Sequence, residues 1–235
     1  QIMSYRAFVD EGLCDLIAAS MSEEDQLVIR QLMELGLHHE QQHQELLLTD
    51  IKYNFGHNPL HPPLIELTGL ANERSVLQRA LSFNEYEPGL VEIGALAGFC
   101  FDNELPRHRV YLAPFSLANR LVTNEEYLAF MEDGGYHRPE LWLSEGWSHC
   151  QQQAWNHPLY WHWRDGAWCE YRFDGLHPLV SNAPVVHVSG YESAAFAAWS
   201  NARLPTEFEW EHASSFEPEL ELSLIHISEP TRLHG

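Results

Sequence analysis

The stretch Leu35-Gly-Leu-His-His-Glu-Gln-Gln-His-Gln-Glu-Leu-Leu-Leu48 decides how the first part of this chain folds. It has no proline, and read with the residues on either side of it, one face repeats at a helical period. At about 100° per residue, Val28, Leu32, Leu35, His43, Leu46, Asp50 and Tyr53 all fall within about 40° of His39. The two histidines therefore continue an apolar stripe expected to face the interior of a helical bundle.

A polar ring on a core-facing stripe needs a partner, because an unpaired buried donor or acceptor costs about 1–3 kcal/mol. Two readings satisfy that need. Each imidazole hydrogen-bonds a neighbouring helix, or His39 and His43 share one cation, their i, i+4 spacing placing them about 6 Å apart along the axis. Gln42 lies about 60° off the stripe and can reach whatever binds there, whereas Glu45, about 120° away, cannot be a third ligand from this helix. Further ligands must come from elsewhere.

Outside this stretch, composition sets limits. The chain has 235 residues, 45% of them hydrophobic, enough for one large domain or two small ones. A formal net charge of -21, from 34 acidic against 13 basic residues, argues against nucleic acid or an anionic membrane as partner. Small-molecule substrates remain open. Cys14, Cys100, Cys150 and Cys169 form no C-x-x-C pair, so reduced thiols in a cytoplasmic protein are expected. No run approaches the roughly 18 apolar residues of a membrane span, and the opening Gln1-Ile-Met-Ser-Tyr-Arg6 lacks a signal-peptide core.

Taken in order, residues 4 to 19 carry Tyr5, Phe8, Val9, Leu13, Leu16 and Ile17 at helical spacing, predicting an amphipathic helix with a packing role. Ser22 followed by Glu23, Glu24 and Asp25 reads as the N-cap and acidic first turn of the histidine helix. That helix is expected to end between Tyr53 and Pro59. Residues 58–82, opening with Asn58-Pro-Leu-His-Pro-Pro63, read as a linker, and His57 before it and His61 within it read as solvated. A second domain, 83–214, follows a first of 1–57. Strands are expected at 90–93, 109–112 and 115–117, with helices at 124–131 behind Thr123, at about 192–201, and after Thr206. Most tryptophans lie in 142–168, among them Trp142, Trp147, Trp155, Trp161, Trp163 and Trp168. That run reads as irregular loops pinned by aromatic packing, though aromatic faces also hold trimethylammonium groups. Residues 215–235 continue no earlier pattern, resemble a translated sequencing adapter, and are read as a non-native tail.

Two blocks carry a resemblance. Leu37-His-His-Glu-Gln-Gln-His-Gln-Glu-Leu-Leu-Leu-Thr-Asp-Ile51 resembles the iron-binding helix of the ergothioneine-biosynthesis sulfoxide synthases, which have a DinB-like helical bundle. Downstream, Glu104-Leu-Pro-Arg-His-Arg-Val110, Val122-Thr-Asn-Glu-Glu-Tyr127, Pro184-Val-Val-His-Val-Ser189 and Arg203-Leu-Pro-Thr-Glu-Phe-Glu-Trp-Glu211 are similar to the formylglycine-generating-enzyme, or sulfatase-modifying-factor, fold, which is C-type-lectin-like. The fold class implied is α+β with two domains, part of a DinB-like bundle followed by a lectin-like module.

The resemblance implies a non-haem Fe(2+), O2-dependent enzyme that joins a cysteine or gamma-glutamylcysteine thiol to the imidazole C2 of N-alpha-trimethylhistidine and oxidises the sulfur to sulfoxide. His39 and His43 would be two of three iron ligands, with Gln42 a candidate substrate contact. The third histidine, the thiol-binding arginines and the catalytic tyrosine of that family have no match here, so the chain reads as an inactive fragment truncated at both ends. Three alternatives stand beside this reading. One is a selenoneine-type carbon–selenium bond-forming homologue. Another is a zinc metalloprotease, because His39-Glu40-Gln41-Gln42-His43 satisfies H-E-x-x-H; the third is a non-catalytic lectin-like binding module.

Overall fold

The computed structural model describes residues 1–19, 22–65, 80–96 and 98–215. Its contacts divide the chain into two units, Gln1–Ile51 with Ala97–Phe101, and Lys52–Leu96 with Asp102–Gly235. Helix and sheet are both present, as the expected α+β class requires.

The first unit is built on α1 (Ile2–Ala18) and most of α2 (Glu23–Gly56). Ser22 starts α2 as expected, its hydroxyl accepting from the Asp25 amide at 3.1 Å, with Glu23, Glu24 and Asp25 at the positive end of the dipole. Burial departs from expectation. The stripe residues Val28, Leu32, Leu35, Leu46 and Tyr53 are 44–62% exposed, and α1, expected to pack through Tyr5, Phe8 and Leu13, buries no residue. Arg6 of α1 reaches Glu40 of α2 at 3.5 Å, and two helices by themselves cannot enclose an apolar stripe about 100° wide on each.

The second unit holds seven strands and four helices among the described residues. Strands β1 (Phe83–Tyr86) and β4 (Phe115–Ala118) pair antiparallel, as do β2 (Gly89–Ile93) and β3 (His108–Leu112), with Val91 opposite Val110. A three-stranded antiparallel meander follows, β5 (Trp161–Arg164), β6 (Ala167–Arg172) and β7 (Gly175–Pro178). The helices are α3 (Asn124–Glu132), α4 (Ser144–Gln152), α5 (Gly190–Trp199) and α6 (Glu207–Ser214). Strand β1 was not anticipated. Nor were α4 and β5, which lie in the run read as irregular loops, or β6, which begins at its end. Aromatic rings alternate there with neither a clean period of two nor of 3.6, so the local pattern is silent while pairing with β7 supplies the order.

Three helices start with the same reciprocal cap. Thr123, Ser189 and Thr206 each accept from the amide three residues on, and Glu126, Glu192 and Glu209 reach back to the cap amide. In the first and third an arginine clamps the capping glutamate with both guanidinium nitrogens, Arg120 to Glu126 at 2.9 and 2.7 Å and Arg203 to Glu209 at 2.7 and 2.6 Å. These clamps hold both carboxyls well down, to about 2.

The core lies between α3, α5 and the tryptophan-rich run. Tyr127, Phe130, Tyr136, Trp142, Cys150, Trp161 and Ala195 are buried together, with Trp147, Trp155 and Trp168 packed around them. Glu192, fully buried, accepts from the Tyr136 hydroxyl at 2.6 Å and from the Ser189 amide at 2.7 Å, so its charge is met by donors. Trp163 is the exposed exception among the singled-out tryptophans, at 60%.

The first residues of the segment read as a linker are bonded to the second unit. Leu64 and Ile65 donate their amides to the Phe173 carbonyl at 2.7 and 3.1 Å, and the Tyr171 hydroxyl donates to the Pro62 carbonyl at 2.7 Å. Residues 66–79 of that segment, and all but Ser215 of the expected tail, lie outside the described residues.

Candidate metal centre

Helix α2 carries both sequence-selected histidines, and the four-residue spacing brings them together as the helical period requires. The His39 and His43 rings stand 4.5 Å apart, centre to centre, and their Nε2 atoms are 3.3 Å apart. Bonds of about 2.1 Å from the two nitrogens to a common ion would meet at roughly 105°. That angle suits adjacent positions of a tetrahedral shell and lies near those of an octahedral one. Imidazole nitrogens accept iron, zinc, copper and nickel alike, so the donor set fits a transition metal without choosing one.

The pair supplies two donors. Among the described residues no third histidine, cysteine, aspartate or glutamate joins them in a group able to hold a metal. Gln42 is exposed on the same helix. Glu40, the glutamate of the H-E-x-x-H match, turns to Arg6 of α1 at 3.5 Å. His38 stacks on Phe99 at 4.0 Å, within the first unit, and Phe99 meets Phe101 edge-on at 5.1 Å. No sequence signal pointed to His38, since Phe99 lies far down the chain.

A second polar group forms inside the other unit, where the last turn of α2 belongs. Lys52 Nζ lies 2.7 Å from His187 Nε2, donating to it when the ring is neutral. Tyr160 and Phe173 place their rings 4.8 and 5.5 Å from the same ammonium. Burial and the neighbouring Lys52 push His187 down to about 3, so the ring is neutral across the physiological range. Sequence left His187 without a visible partner, because Lys52 lies 135 residues away. Tyr160 and His187 both adopt left-handed backbone, with φ of 71° and 61°. Such strain is held only where packing over-determines it. Here Tyr160 meets the His187 ring edge-on at 4.8 Å, and its ring fills the space where a Cβ on Gly56 would stand.

His61, expected to be solvated, packs against His162 with ring centres 4.3 Å apart. Both are partly buried. None of the four cysteines forms a disulfide. No described helix is long and apolar enough to cross a membrane.

Comparison with known proteins adds identity to this geometry. Over 216 residues the chain is 33% identical to the hercynine oxygenase of Mycobacterium tuberculosis, an alignment covering 92% of this chain and 48% of that protein. With the hercynine oxygenase of Mycolicibacterium smegmatis it shares 35% identity over 187 residues, 78% of this chain and 42% of the other. The formylglycine-generating enzyme of Streptomyces coelicolor is 33% identical over 135 residues, covering 50% of this chain and 41% of that enzyme. The chain thus spans about half the length, or less, of the curated relatives it matches. Because the model of the sulfatase-modifying factor enzyme 1-like domain matches residues 80–219, more than half of its length, the chain belongs to that family.

Proposed function

We propose that the chain is part of a non-haem Fe(2+), O2-dependent sulfoxide synthase, which joins a cysteine-type thiol to the imidazole of N-alpha-trimethylhistidine. The observation that carries this reading is the His39–His43 pair, with its Nε2 atoms 3.3 Å apart on one helix. Similarity to proteins named hercynine oxygenase supports it, hercynine being N-alpha-trimethylhistidine.

In this reading α1 and α2 belong to a DinB-like bundle, and the second unit is the C-type-lectin-like module. The exposed apolar stripe of α2 is then the surface that further helices of the bundle cover, and a third ligand comes from that side. Iron, when bound, supplies the redox chemistry that couples dioxygen to carbon–sulfur bond formation. The chain's own residues hold and orient. His39 and His43 would hold the metal through their Nε2 atoms, and Gln42, on the same helix, would offer its side-chain amide to the substrate imidazole. The protease reading is weakened by Glu40, whose carboxylate pairs with Arg6 instead of standing ready as a general base beside the histidines.

The test is an anaerobic Fe(2+) titration followed by incubation with thiol, trimethylhistidine and oxygen, with product identified by mass spectrometry. Iron binding that is lost on replacing both histidines by alanine is the expected result. Two ligands without a third are expected to bind iron without sulfoxide turnover; binding unchanged in the double variant would remove the proposal.

A further inference from the structure

In a chain with 34 acidic residues against 13 basic ones, the charged and titratable groups that act on His162 of β5 are, among the described residues, all basic. His61 lies against its ring, and His57, His157 and Arg164 stand near enough to oppose a proton on it. Its Nε2 is buried without a hydrogen-bond partner in the protein. Across the strand pair it faces Cys169, and Tyr171 of β6 lies 5.8 Å from the His61 ring. The nearest acids of β6 and its turn are engaged elsewhere: Glu170 and Asp174 with Arg172 at 3.6 and 3.5 Å, and Asp174 also with His177 at 3.1 Å. His57 and His157 each direct Nδ1 to a carbonyl, of Tyr53 at 2.8 Å and of Pro158 at 2.9 Å.

His61 also begins a strap. Its backbone is left-handed, with φ of 45°, and residues 61–65 then lie on the sheet through the Pro62 carbonyl and the Leu64 and Ile65 amides. The ring contact and these three hydrogen bonds hold the chain that follows α2 onto the second unit.

We propose that the His61–His162 pair is an acid-operated latch, which keeps the 61–65 strap docked while both rings are neutral and releases it when they take up protons. Two imidazolium rings at 4.3 Å beside Arg164 repel one another, and among the described residues no carboxylate acts on His162 to offset them. The direction follows from linkage. Burial and the surrounding bases hold His162 down to about 4, and burial with Arg164 lowers His61, against an ordinary value of 6.5. The released strap therefore binds protons that the docked strap does not. Docking is strongest above pH 6.5, weakens as pH falls towards about 4, and changes little below that. Allowing for solvent around both rings, the docking constant should fall on the order of tens-fold across this window.

Amide hydrogen exchange of the 235-residue chain, corrected for intrinsic rates, tests the latch. Between pH 6.5 and pH 4.5, protection of the Leu64 and Ile65 amides should drop at least about tenfold. The Tyr171 amide, bonded to the Tyr160 carbonyl within the sheet, should stay protected. His61→Gln and His162→Gln, each removing one titrating ring, should flatten the response. His61→Gln, on the strap, serves if the other variant folds poorly. Unchanged protection in the parent chain, or an equal loss in parent and variants, overturns the proposal.

Discussion

The two units of this molecule make opposite use of their apolar residues. In the first, Phe8 is 72% exposed and Leu32 62% exposed, and neither α1 nor the part of α2 that runs to Ile51 buries a residue. In the second, Phe130, Trp161 and Cys150 are sealed to 1% or less. The sequences differ little in hydrophobic content. What differs is closure: strands and short helices that return on one another enclose a core, whereas two long helices by themselves do not. The histidine pair proposed to hold a metal sits on the open unit and most of the family match on the closed one, so the packed core and the proposed chemistry lie in different parts of the chain.

That division can be tested from both sides. The largest effect expected is on metal affinity: replacing His39 and His43 together with alanine should lower it at least about a hundredfold, since two nitrogen donors are lost. The thermal transition of the second unit should not move. Calorimetry alongside the Fe(2+) titration reads both, and a coupled loss would mean that the units are not independent.

Comparable in free energy is the effect on the core of the closed unit. Trp161→Ala should cost about 3–5 kcal/mol in denaturant unfolding, as large-to-small changes in sealed cores do, while metal affinity stays unchanged. Gly135 offers the converse perturbation. A Cβ there would stand 2.1 Å from the Phe130 ring, so Gly135→Ala should destabilise by roughly 1–3 kcal/mol through overpacking.

Acid should act on the closed unit through its arginine-clamped caps. Glu126 and Glu209 titrate at about 2 in the fold against 4.5 otherwise, so their contribution is complete above about 4.5 and is lost as pH falls through about 2. After allowance for solvent around Glu126 and the exposed Arg203, the two together are worth roughly 1–3 kcal/mol. Arg203→Gln should shrink this acid dependence, measured by urea unfolding at pH 5 and pH 2.5. The smallest change belongs to the open unit: Phe8→Ser should alter stability by no more than about 0.5 kcal/mol, the usual size for an exposed site. A larger loss would show that α1 is covered by something in solution.

Much of this could be read along the chain because its causes are local. Ser22, Thr123 and Thr206 announce helix starts, since a cap and the glutamate or aspartate that answers it lie within three or four residues. Strands β2 and β3 were legible from β-branched residues bounded by glycine and proline. His39 and His43 were legible as a pair because four residues make one helical turn. The interior of 142–168 was not, because its tryptophans are sorted into buried and exposed by the sheet and the helices they meet far along the chain.

Sequence by itself therefore determined the helix that carries the histidines, the caps that begin α3 and α6, and the α+β character of the chain. Tertiary structure alone decided what lies exposed on α1 and α2, that His187 receives Lys52, and that His61 lies on His162. The physical reason is range. Capping and periodicity act over a few residues, whereas burial and the meeting of side chains more than a hundred residues apart depend on how the whole chain closes on itself.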